Sequence, residues 1–252
     1  MICWADLAAK DMRAAASWYG SLLGWSAVDI DVGPDGGALL LELDGKRVAS
    51  MSQASSDPAA PVPPSCWVSY VAVASAEEAT QTALAAGASV VVPPFDVLDL
   101  GREAILRDPV GALISLWEPR AHRGADLFDV PGTICSHELL TPEVERAATF
   151  YRALAGWEID VVRADGQSRA TIRSRGRRIG GISCPVGGPE LLGTTWLLGL
   201  GVRDCGAAAR LVGDLRGRVI RPCDAYHLGG VWAWVRDDMG AAFAIVQTAQ
   251  DL

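Results

Sequence analysis

Lysine and histidine are scarce in this chain of 252 residues. Lys10 and Lys46 are its two lysines, the other 20 cations are arginines, and three residues are histidine. Acidic residues outnumber basic ones by 30 to 22, which gives a net charge of −8 at pH 7. This balance excludes the basic surface that nucleic-acid-binding proteins present, so no nucleic-acid partner is expected.

Long apolar runs are also missing, as is a cationic start followed by an apolar stretch. Neither a membrane span of ~20 residues nor a signal peptide is predicted, so we expect a cytoplasmic protein without a membrane partner. The six cysteines contain no CxxC pair. In a reducing compartment they are expected to be buried free thiols.

An internal duplication organises the chain. Residues 2–25 align with residues 134–157 without a gap, and nine of these 24 positions are identical. The match continues through each half, and its offset falls from 132 to 129 residues. We therefore predict two domains, residues 1–119 and 132–252, joined by a linker at residues 120–131.

Each half contains two similar series of predicted elements. In the first half, the first series comprises a strand at 2–8, a helix at 11–23 and strands at 38–43 and 46–52. The second comprises a strand at 67–73, a helix at 76–86 and strands at 89–92, 102–107 and 111–117. The second half repeats both, with helices at 143–155 and 205–214. The prediction is an α+β fold of four βαβββ-like units with mixed sheets.

Short motifs recur at fixed places in these units. They are Trp18-Tyr19 with Gly24-Trp25, Phe150-Tyr151 with Gly156-Trp157, and the turn Asp108-Pro109 with Gly111-Ala112. This set resembles the vicinal oxygen chelate superfamily, which includes glyoxalase I, bleomycin-resistance proteins and extradiol dioxygenases. The resemblance implies that two βαβββ units curl an eight-stranded sheet into a cup. The duplicated chain would then be a pseudo-dimer with two cups.

The superfamily usually holds a divalent metal at the cup floor, and the resemblance implies where its ligands would lie. The matching positions hold Trp4, Val68, Ser115, Ser136, Leu197 and Ala244. These are not the carboxylate, imidazole or thiolate side chains that bind Mg, Mn, Fe or Zn. We therefore predict that the protein binds no metal and no cofactor.

Two histidines need separate interpretations. His137 lies one residue past Ser136, and side chains alternate along a strand, so it is expected between sheet and helix or on the surface. A β-bulge would reverse this parity. His227, in a loop at residues 224–230, is a candidate catalytic residue because that loop could border a cup mouth.

Two acidic residues are the main catalytic candidates. Asp6 lies two residues after Trp4, and Glu138 lies two residues after Ser136, so both should face into a cup. Burial in an apolar cup raises the pKa of a carboxyl group, which suits a general acid or base near neutral pH. The alternative is a carboxylate that caps neighbouring backbone or pairs with an arginine.

Aromatic and small polar side chains on the same faces are predicted to bind a substrate. The candidates are Trp4, Ser115, Trp117, Ser136, Trp232 and Trp234, with Tyr70 as a further catalytic candidate. Walls of tryptophan favour a planar, aromatic or polycyclic metabolite as the partner. Ordinary core packing is the alternative for each of these rings.

Three functions fit these features. The first is a metal-independent enzyme that tailors an aromatic or polyketide-like metabolite by acid–base catalysis of a cyclisation, isomerisation, elimination or hydration. The second is a protein that sequesters an antibiotic without altering it, as the bleomycin-resistance type does. The third is a scaffold without a ligand. A monomeric pseudo-dimer and a homodimer are both compatible with the duplication.

Overall fold

A computed structural model describes residues 1–31, 37–57, 60, 62–164, 166–184 and 192–248. The first half contains β1 (Ile2–Ala9), α1 (Met12–Leu23), β2 (Ser26–Asp31), β3 (Gly37–Leu43), β4 (Lys46–Gln53), β5 (Cys66–Ala72), α2 (Ala76–Ala85), β6 (Ser89–Val97), β7 (Gly101–Arg107) and β8 (Leu113–Pro119). The second half contains β9 (Ile134–Leu140), α3 (Val144–Ala155), β10 (Glu158–Ala164), β11 (Gln167–Ser174), β12 (Arg177–Ser183), β13 (Thr195–Gly201), α4 (Cys205–Asp214), β14 (Arg218–Ala225), β15 (Val231–Arg236) and β16 (Ala242–Gln247).

Each half of the repeat forms one sheet of eight strands. The strand order is β2-β3-β4-β1-β5-β8-β7-β6 in the first sheet and β10-β11-β12-β9-β13-β16-β15-β14 in the second. Parallel pairs, such as β1 with β4 and β5 with β8, occur beside antiparallel hairpins, so both sheets are mixed. The predicted α+β fold of βαβββ units is confirmed.

The helices begin and end within one residue of their predicted bounds. Asp11 caps α1, because its side chain accepts a hydrogen bond from the backbone N–H of Ala14 at 3.0 Å. Gly24 ends α1 with φ of 78°, a left-handed conformation that favours glycine. None of the described helices is long and apolar enough to cross a membrane.

The strand prediction was wrong at the sheet edges. It omitted β2 and β10, which are both edge strands and carry acidic residues that strands usually avoid. Charged residues on an edge strand discourage pairing with a second molecule. The same residues have low strand propensity, so propensity alone does not predict these two strands. It also ended β6 before Pro93, whereas the strand continues to Val97 through register shifts. Proline is tolerated there because an edge strand leaves some backbone groups unpaired.

The chain divides into two compact units, and each combines segments from both halves of the repeat. Unit I consists of Met1–Cys3, Val68–Arg123 and His137–Leu197. Unit II consists of Trp4–Trp67, Gly124–Ser136 and Leu198–Leu252. The predicted boundaries at residues 119 and 132 follow the sequence repeat, whereas these units follow the packing.

Each unit has its own apolar core on the helix-bearing side of its strands. The core of unit I includes Phe150 and Tyr151 of α3 together with Leu106 and Ile114 of β7 and β8. The core of unit II is built in the same way from its own helices and strands, and it includes Trp18, Leu39, Phe243 and Ile245. Burial of these side chains supplies the main favourable free energy of folding.

A buried triad of hydrogen-bonded side chains joins the first-half segment of unit I to its second-half segment. The Tyr151 hydroxyl donates to Asp108 Oδ2 at 2.8 Å, and the Trp196 indole N–H donates to the Tyr151 hydroxyl at 2.7 Å. The other oxygen of Asp108 accepts from the backbone N–H groups of Val110 and Ala112, which fixes the turn. The Asp of the turn and the Tyr of the helix therefore recur in this sequence because they bind each other.

Unit II contains the same triad. Tyr19 donates to Asp237 Oδ2 at 3.1 Å, and the Trp67 indole N–H donates to the Tyr19 hydroxyl at 2.9 Å. Trp25 stacks on Tyr19, with ring centroids 5.6 Å apart and an interplanar angle of 17°. The Gly-Trp pairs that follow α1 and α3 thus supply a ring that stacks on the tyrosine of the same helix.

Removing one hydroxyl should destabilise unit I. Tyr151→Phe leaves the Trp196 N–H and one oxygen of Asp108 buried without this partner, so the free energy of unfolding should fall by about 1–3 kcal/mol in urea denaturation. Asp108→Asn keeps an acceptor for the turn and should cost less than Asp108→Ala. A Tyr151→Phe protein within about 0.5 kcal/mol of wild type would contradict this role.

Candidate functional site

Alternation along β1 turns two functional candidates away from the helices. Ala5, Leu7 and Ala9 belong to the core of unit II, so Trp4 and Asp6 point to the opposite face of the strand. We call this the helix-free face. Both side chains are nevertheless buried, and Asp6 retains 9% of its exposure.

Serine hydroxyls hold the Asp6 carboxyl group. β4 runs parallel to β1, and this pairing places Ser50 and Ser52 beside Asp6. Ser50 donates to Oδ1 and Ser52 donates to Oδ2, each at 2.6 Å, while the Trp4 indole N–H donates to Ser50 Oγ at 2.8 Å. Burial raises the pKa of Asp6, and the two serine hydrogen bonds oppose part of that rise.

The second half repeats the carboxyl–serine pair in unit I. Ser183 on β12 donates to Glu138 Oε1 at 2.5 Å, and Glu138 is 1% exposed. Ser183 corresponds to Ser52 in the repeat, whereas Ser50 corresponds to Gly181. Both predicted acid–base residues therefore bind a serine hydroxyl from the neighbouring parallel strand.

The sequence left open that Asp6 caps neighbouring backbone or pairs with an arginine. Its side chain instead binds the hydroxyls of Ser50 and Ser52. An arginine would lower the pKa of a carboxyl group strongly, because it favours the charged form. Two neutral hydroxyls stabilise the carboxylate less, so the group can exchange a proton at a pH closer to neutral.

The sequence reasoning missed Glu103, a third buried carboxyl group on the helix-free faces. It lies on β7 of unit I, and the Ser115 hydroxyl donates to its Oε1 at 2.7 Å. Ala104 and Leu106 enter the core of unit I, so alternation turns Glu103 to the helix-free face. That alternation was visible in the segment GREAILR once the strand had been assigned.

Two aromatic candidates lie close together on β5 and β8 of unit I. The rings of Tyr70 and Trp117 are edge to face, with centroids 6.1 Å apart. The Trp117 indole N–H donates to the backbone carbonyl of His122 at 2.9 Å, and the His122 ring lies 5.8 Å from that of Trp117. Linker residues therefore cover part of Trp117.

The helix-free face of β15 in unit II carries Trp232 and Trp234. Both are buried, and their rings are edge to face at 5.4 Å. Among the residues that the structure describes, neither indole N–H has a hydrogen-bond partner. Tyr226, which sequence reasoning missed, stacks on Trp232 with centroids 4.3 Å apart. His227 is exposed, and its ring lies 5.1 Å from Tyr226. Part of the predicted aromatic wall is thus covered by the protein's own rings.

The positions at which the family would place metal ligands do not fit a divalent cation. All six are buried, and they are Trp4, Val68, Ser115, Ser136, Leu197 and Ala244. At the first of them an indole N–H points its hydrogen at Ser50, so it is a donor with no lone pair for a metal. Within the described ranges, no three His, Cys, Asp or Glu side chains form a group that could hold a metal ion. Absence of a bound metal stays a prediction.

His137 lies where strand alternation predicts, on the helix-bearing side of unit I. It is buried, its Nδ1 lies 3.0 Å from the Ser69 hydroxyl, and its Nε2 has no hydrogen-bond partner in the part of the chain that the structure describes. Burial lowers its pKa to about 3. The imidazole is therefore neutral in the folded protein at physiological pH.

Comparison with known proteins identifies relatives over the full length. A family model described as "Glyoxalase/Bleomycin resistance protein/Dioxygenase superfamily" matches residues 2–116. The chain is 33% identical over 254 residues to the Mycobacterium tuberculosis protein CFP32, whose name proposes glyoxylase activity, covering 98% of this chain and 94% of that one. It is also 33% identical over 261 residues to the anthracycline biosynthesis protein DauV of Streptomyces sp. (strain C5), covering 97% and 92%.

Solved structures with the same fold share little sequence. The Mn(II)-bound glyoxalase from Novosphingobium aromaticivorans aligns with a TM-score of 0.65 at 15% identity, covering 98% of this chain and 81% of that one. The 2,3-dioxygenase LapB from Pseudomonas sp. KL28 also gives 0.65, at 13% identity, covering 98% and 91%. At these identities the likeness concerns the fold.

Burial of His137 should make stability depend on pH. Its folded-state pKa of about 3 lies below the unfolded value of ~6.5, so its stabilising contribution is complete above pH ~6.5 and is lost as the pH falls toward 3. The unfolding free energy of wild type should fall relative to His137→Gln by about 1.4 kcal/mol per pH unit below pH ~6.

The control is Val162→Ala, which changes an exposed side chain and removes no titratable group, so the pH profile of stability should stay parallel to wild type. Parallel profiles for wild type and His137→Gln between pH 7 and 4 would show that protonation of His137 is not coupled to unfolding.

Proposed function

The chain belongs to the glyoxalase/bleomycin resistance protein/dioxygenase superfamily, and we propose that it is a metal-independent tailoring enzyme of secondary metabolism. Its substrate in this proposal is an aromatic, polyketide-like metabolite. Similarity to anthracycline biosynthesis proteins over 97% of the chain supports the substrate class. The tryptophans on the helix-free faces, Trp4, Trp117, Trp232 and Trp234, support a planar aromatic ligand.

The observation that carries the proposal is the buried carboxyl–serine pair, which occurs in both halves. Asp6 is bound by Ser50 and Ser52, and Glu138 is bound by Ser183. Burial raises the pKa of Asp6, and its ionised carboxylate can take a proton from an acidic C–H or O–H group and return it at another atom. Such a transfer is the shared step of cyclisations, isomerisations, eliminations and hydrations.

We assign the main proton transfer to Asp6 and treat Glu138 as the second candidate. Asp6 retains 9% exposure against 1% for Glu138, so less movement is needed for a substrate to reach it. The hydroxyls of Ser50 and Ser52 donate to the carboxylate that forms when Asp6 is ionised. They also fix its orientation, which lowers the entropy lost on reaching the reactive geometry.

The aromatic candidates act as positioning groups in this proposal. Tyr70 and Trp117 offer ring edges in unit I, and Trp232 and Trp234 offer two indole N–H donors in unit II. No residue of the described ranges accepts from those two donors, so a ligand oxygen that reached them would gain hydrogen bonds that these residues do not supply. We propose no assisting proton transfer by His227, because its side chain is exposed.

Conversion of a polycyclic aromatic polyketide tests the proposal. Wild type, Asp6→Asn and Glu138→Gln are incubated with anthracycline precursors, and products are followed by chromatography and mass spectrometry. Loss of the proton-transfer group should lower kcat about 10²–10⁴-fold, with binding measured by tryptophan fluorescence changed little. Asp44→Asn, in an exposed turn, is the matched control and should retain wild-type turnover.

Three results of this experiment are decisive. Full turnover in both carboxyl variants would refute acid–base catalysis by these residues. Recovery of unaltered ligand after tight binding would favour sequestration, the second function that the sequence suggested. Turnover lost in one variant and kept in the other would identify the half in which the reaction occurs.

The serine partners should tune the pH dependence of turnover. The Ser52 hydrogen bond lowers the pKa of Asp6, so Ser52→Ala raises that pKa further. If Asp6 acts as a base, the acidic limb of the kcat/KM profile should move to higher pH in Ser52→Ala. A decrease in turnover at every pH without movement of that limb would contradict an assignment of the limb to Asp6.

A further inference from the structure

Two free cysteines of unit II lie in direct contact. Cys205 is the first residue of α4 and is buried, whereas Cys223 lies on β14 and is exposed. Their sulfur atoms are 2.9 Å apart. A disulfide bond has a length of ~2.05 Å, so the sulfurs need to approach by less than about 1 Å to form one.

The backbone holds the inner cysteine in place. Asp204 caps α4 by accepting from the Ala207 N–H at 2.8 Å, and Gln247 Oε1 accepts from the Cys205 N–H at 3.1 Å. The start of the helix is therefore fixed on two sides. These two hydrogen bonds hold the Cys205 sulfur beside Cys223 of β14 before any covalent bond forms.

The outer cysteine lies in an irregular part of an edge strand. β14 pairs with β15, and the register shifts between Arg221 and Asp224, the residues on either side of Cys223. A bulge of this kind redirects a side chain and leaves backbone groups free to adjust. The small displacement that a bond requires can be absorbed here without breaking the regular ladder.

We propose that Cys205 and Cys223 form a reversible intrachain disulfide when the protein meets a low-molecular-weight disulfide. The cysteine pair is specific to the second half of the repeat, because the equivalent residues of the first half are Ala76 and Pro94. All six cysteines are free in the structure, as expected, but the expectation that they are buried is wrong for four of them, because only Cys3 and Cys205 are buried.

The chemistry is an exchange of two thiols for one external disulfide. The thiolate of exposed Cys223 attacks one sulfur of RSSR, a mixed disulfide forms and RS⁻ leaves. The sulfur of Cys205 then attacks the Cys223 sulfur, loses its proton and expels the second RS⁻. Two protein thiols are oxidised, and one RSSR is reduced to two RSH. Burial raises the pKa of the Cys205 thiol, which makes Cys223 the residue that reacts first.

The disulfide would fix the irregular segment of β14 whose Arg221 side chain lies over Trp234. The Arg221 guanidinium lies 5.3 Å from the centroid of the Trp234 ring, and it pairs with Asp224 at 2.9 Å. Both residues flank Cys223 on the strand. Oxidation would therefore join α4 to the segment that holds Arg221 over the aromatic face of unit II.

Thiol mapping on the native full-length protein tests the proposal. The protein is treated with oxidised glutathione, free thiols are alkylated, and peptides are analysed without reduction. Two of the six thiols should be protected, and Cys205 and Cys223 should appear in one linked pair. Closing a loop between residues 18 apart should raise the Tm by about 5–10 °C, and dithiothreitol should reverse the shift.

Variants distinguish the thiol that attacks the external disulfide first from the thiol that completes the exchange. Cys205→Ser should trap glutathione on Cys223, because the sulfur that completes the exchange is gone, whereas Cys223→Ser should leave Cys205 reduced. Cys66→Ser, a cysteine outside the pair, is the matched control and should form the same link as wild type. Full alkylation of Cys205 and Cys223 after treatment, or a stable mixed disulfide on wild-type Cys223, would overturn the proposal.

Discussion

The hydrogen bond from a buried helix tyrosine to the aspartate of a tight turn is the constraint on which each unit depends. In unit II it joins Tyr19, from the first half of the repeat, to Asp237, from the second. In unit I it joins Tyr151 to Asp108 in the reverse sense. A buried carboxyl group without such a partner would be costly, so helix and turn are held in one arrangement.

The faces of the functional strands follow from that arrangement. Once the core takes alternate residues of β1 and β9, the residues between them must lie on the helix-free face. Asp6 and Glu138 are placed there by the period of the strand. The parallel neighbours β4 and β12 then supply the serines that bind them.

Sequence reasoning succeeded where a local period or a repeat carried the information. The helices and the orientations of Asp6 and His137 needed only spacing within one element, and the duplication supplied the match between halves. The serine partners of Asp6 were missed because they depend on pairing between strands more than 40 residues apart. Tyr226 was missed for a similar reason, since its partner Trp232 lies on another segment, whereas the orientation of Glu103 followed from alternation within the predicted strand at 102–107 and was overlooked.

The two halves keep one architecture and have different helix-free faces. Ser50, Glu103 and Ser115 in the first half correspond to Gly181, Trp232 and Ala244 in the second. The carboxyl group and one serine persist in both, at Asp6 with Ser52 and Glu138 with Ser183. Each half has two tryptophans on its helix-free face, Trp4 and Trp117 in the first and Trp232 and Trp234 in the second, whereas Glu103, Ser50 and Ser115 have no polar equivalent in the second half.

The central claim is that carboxyl groups held by serine, with no metal ion, perform the chemistry. Its most direct test is elemental analysis by mass spectrometry of purified protein whose turnover has been measured on the same sample. The account predicts substoichiometric amounts of every divalent metal and turnover that survives exhaustive chelation. One tightly bound manganese, iron, nickel or zinc ion per chain, whose removal abolishes turnover and whose return restores it, would contradict the account.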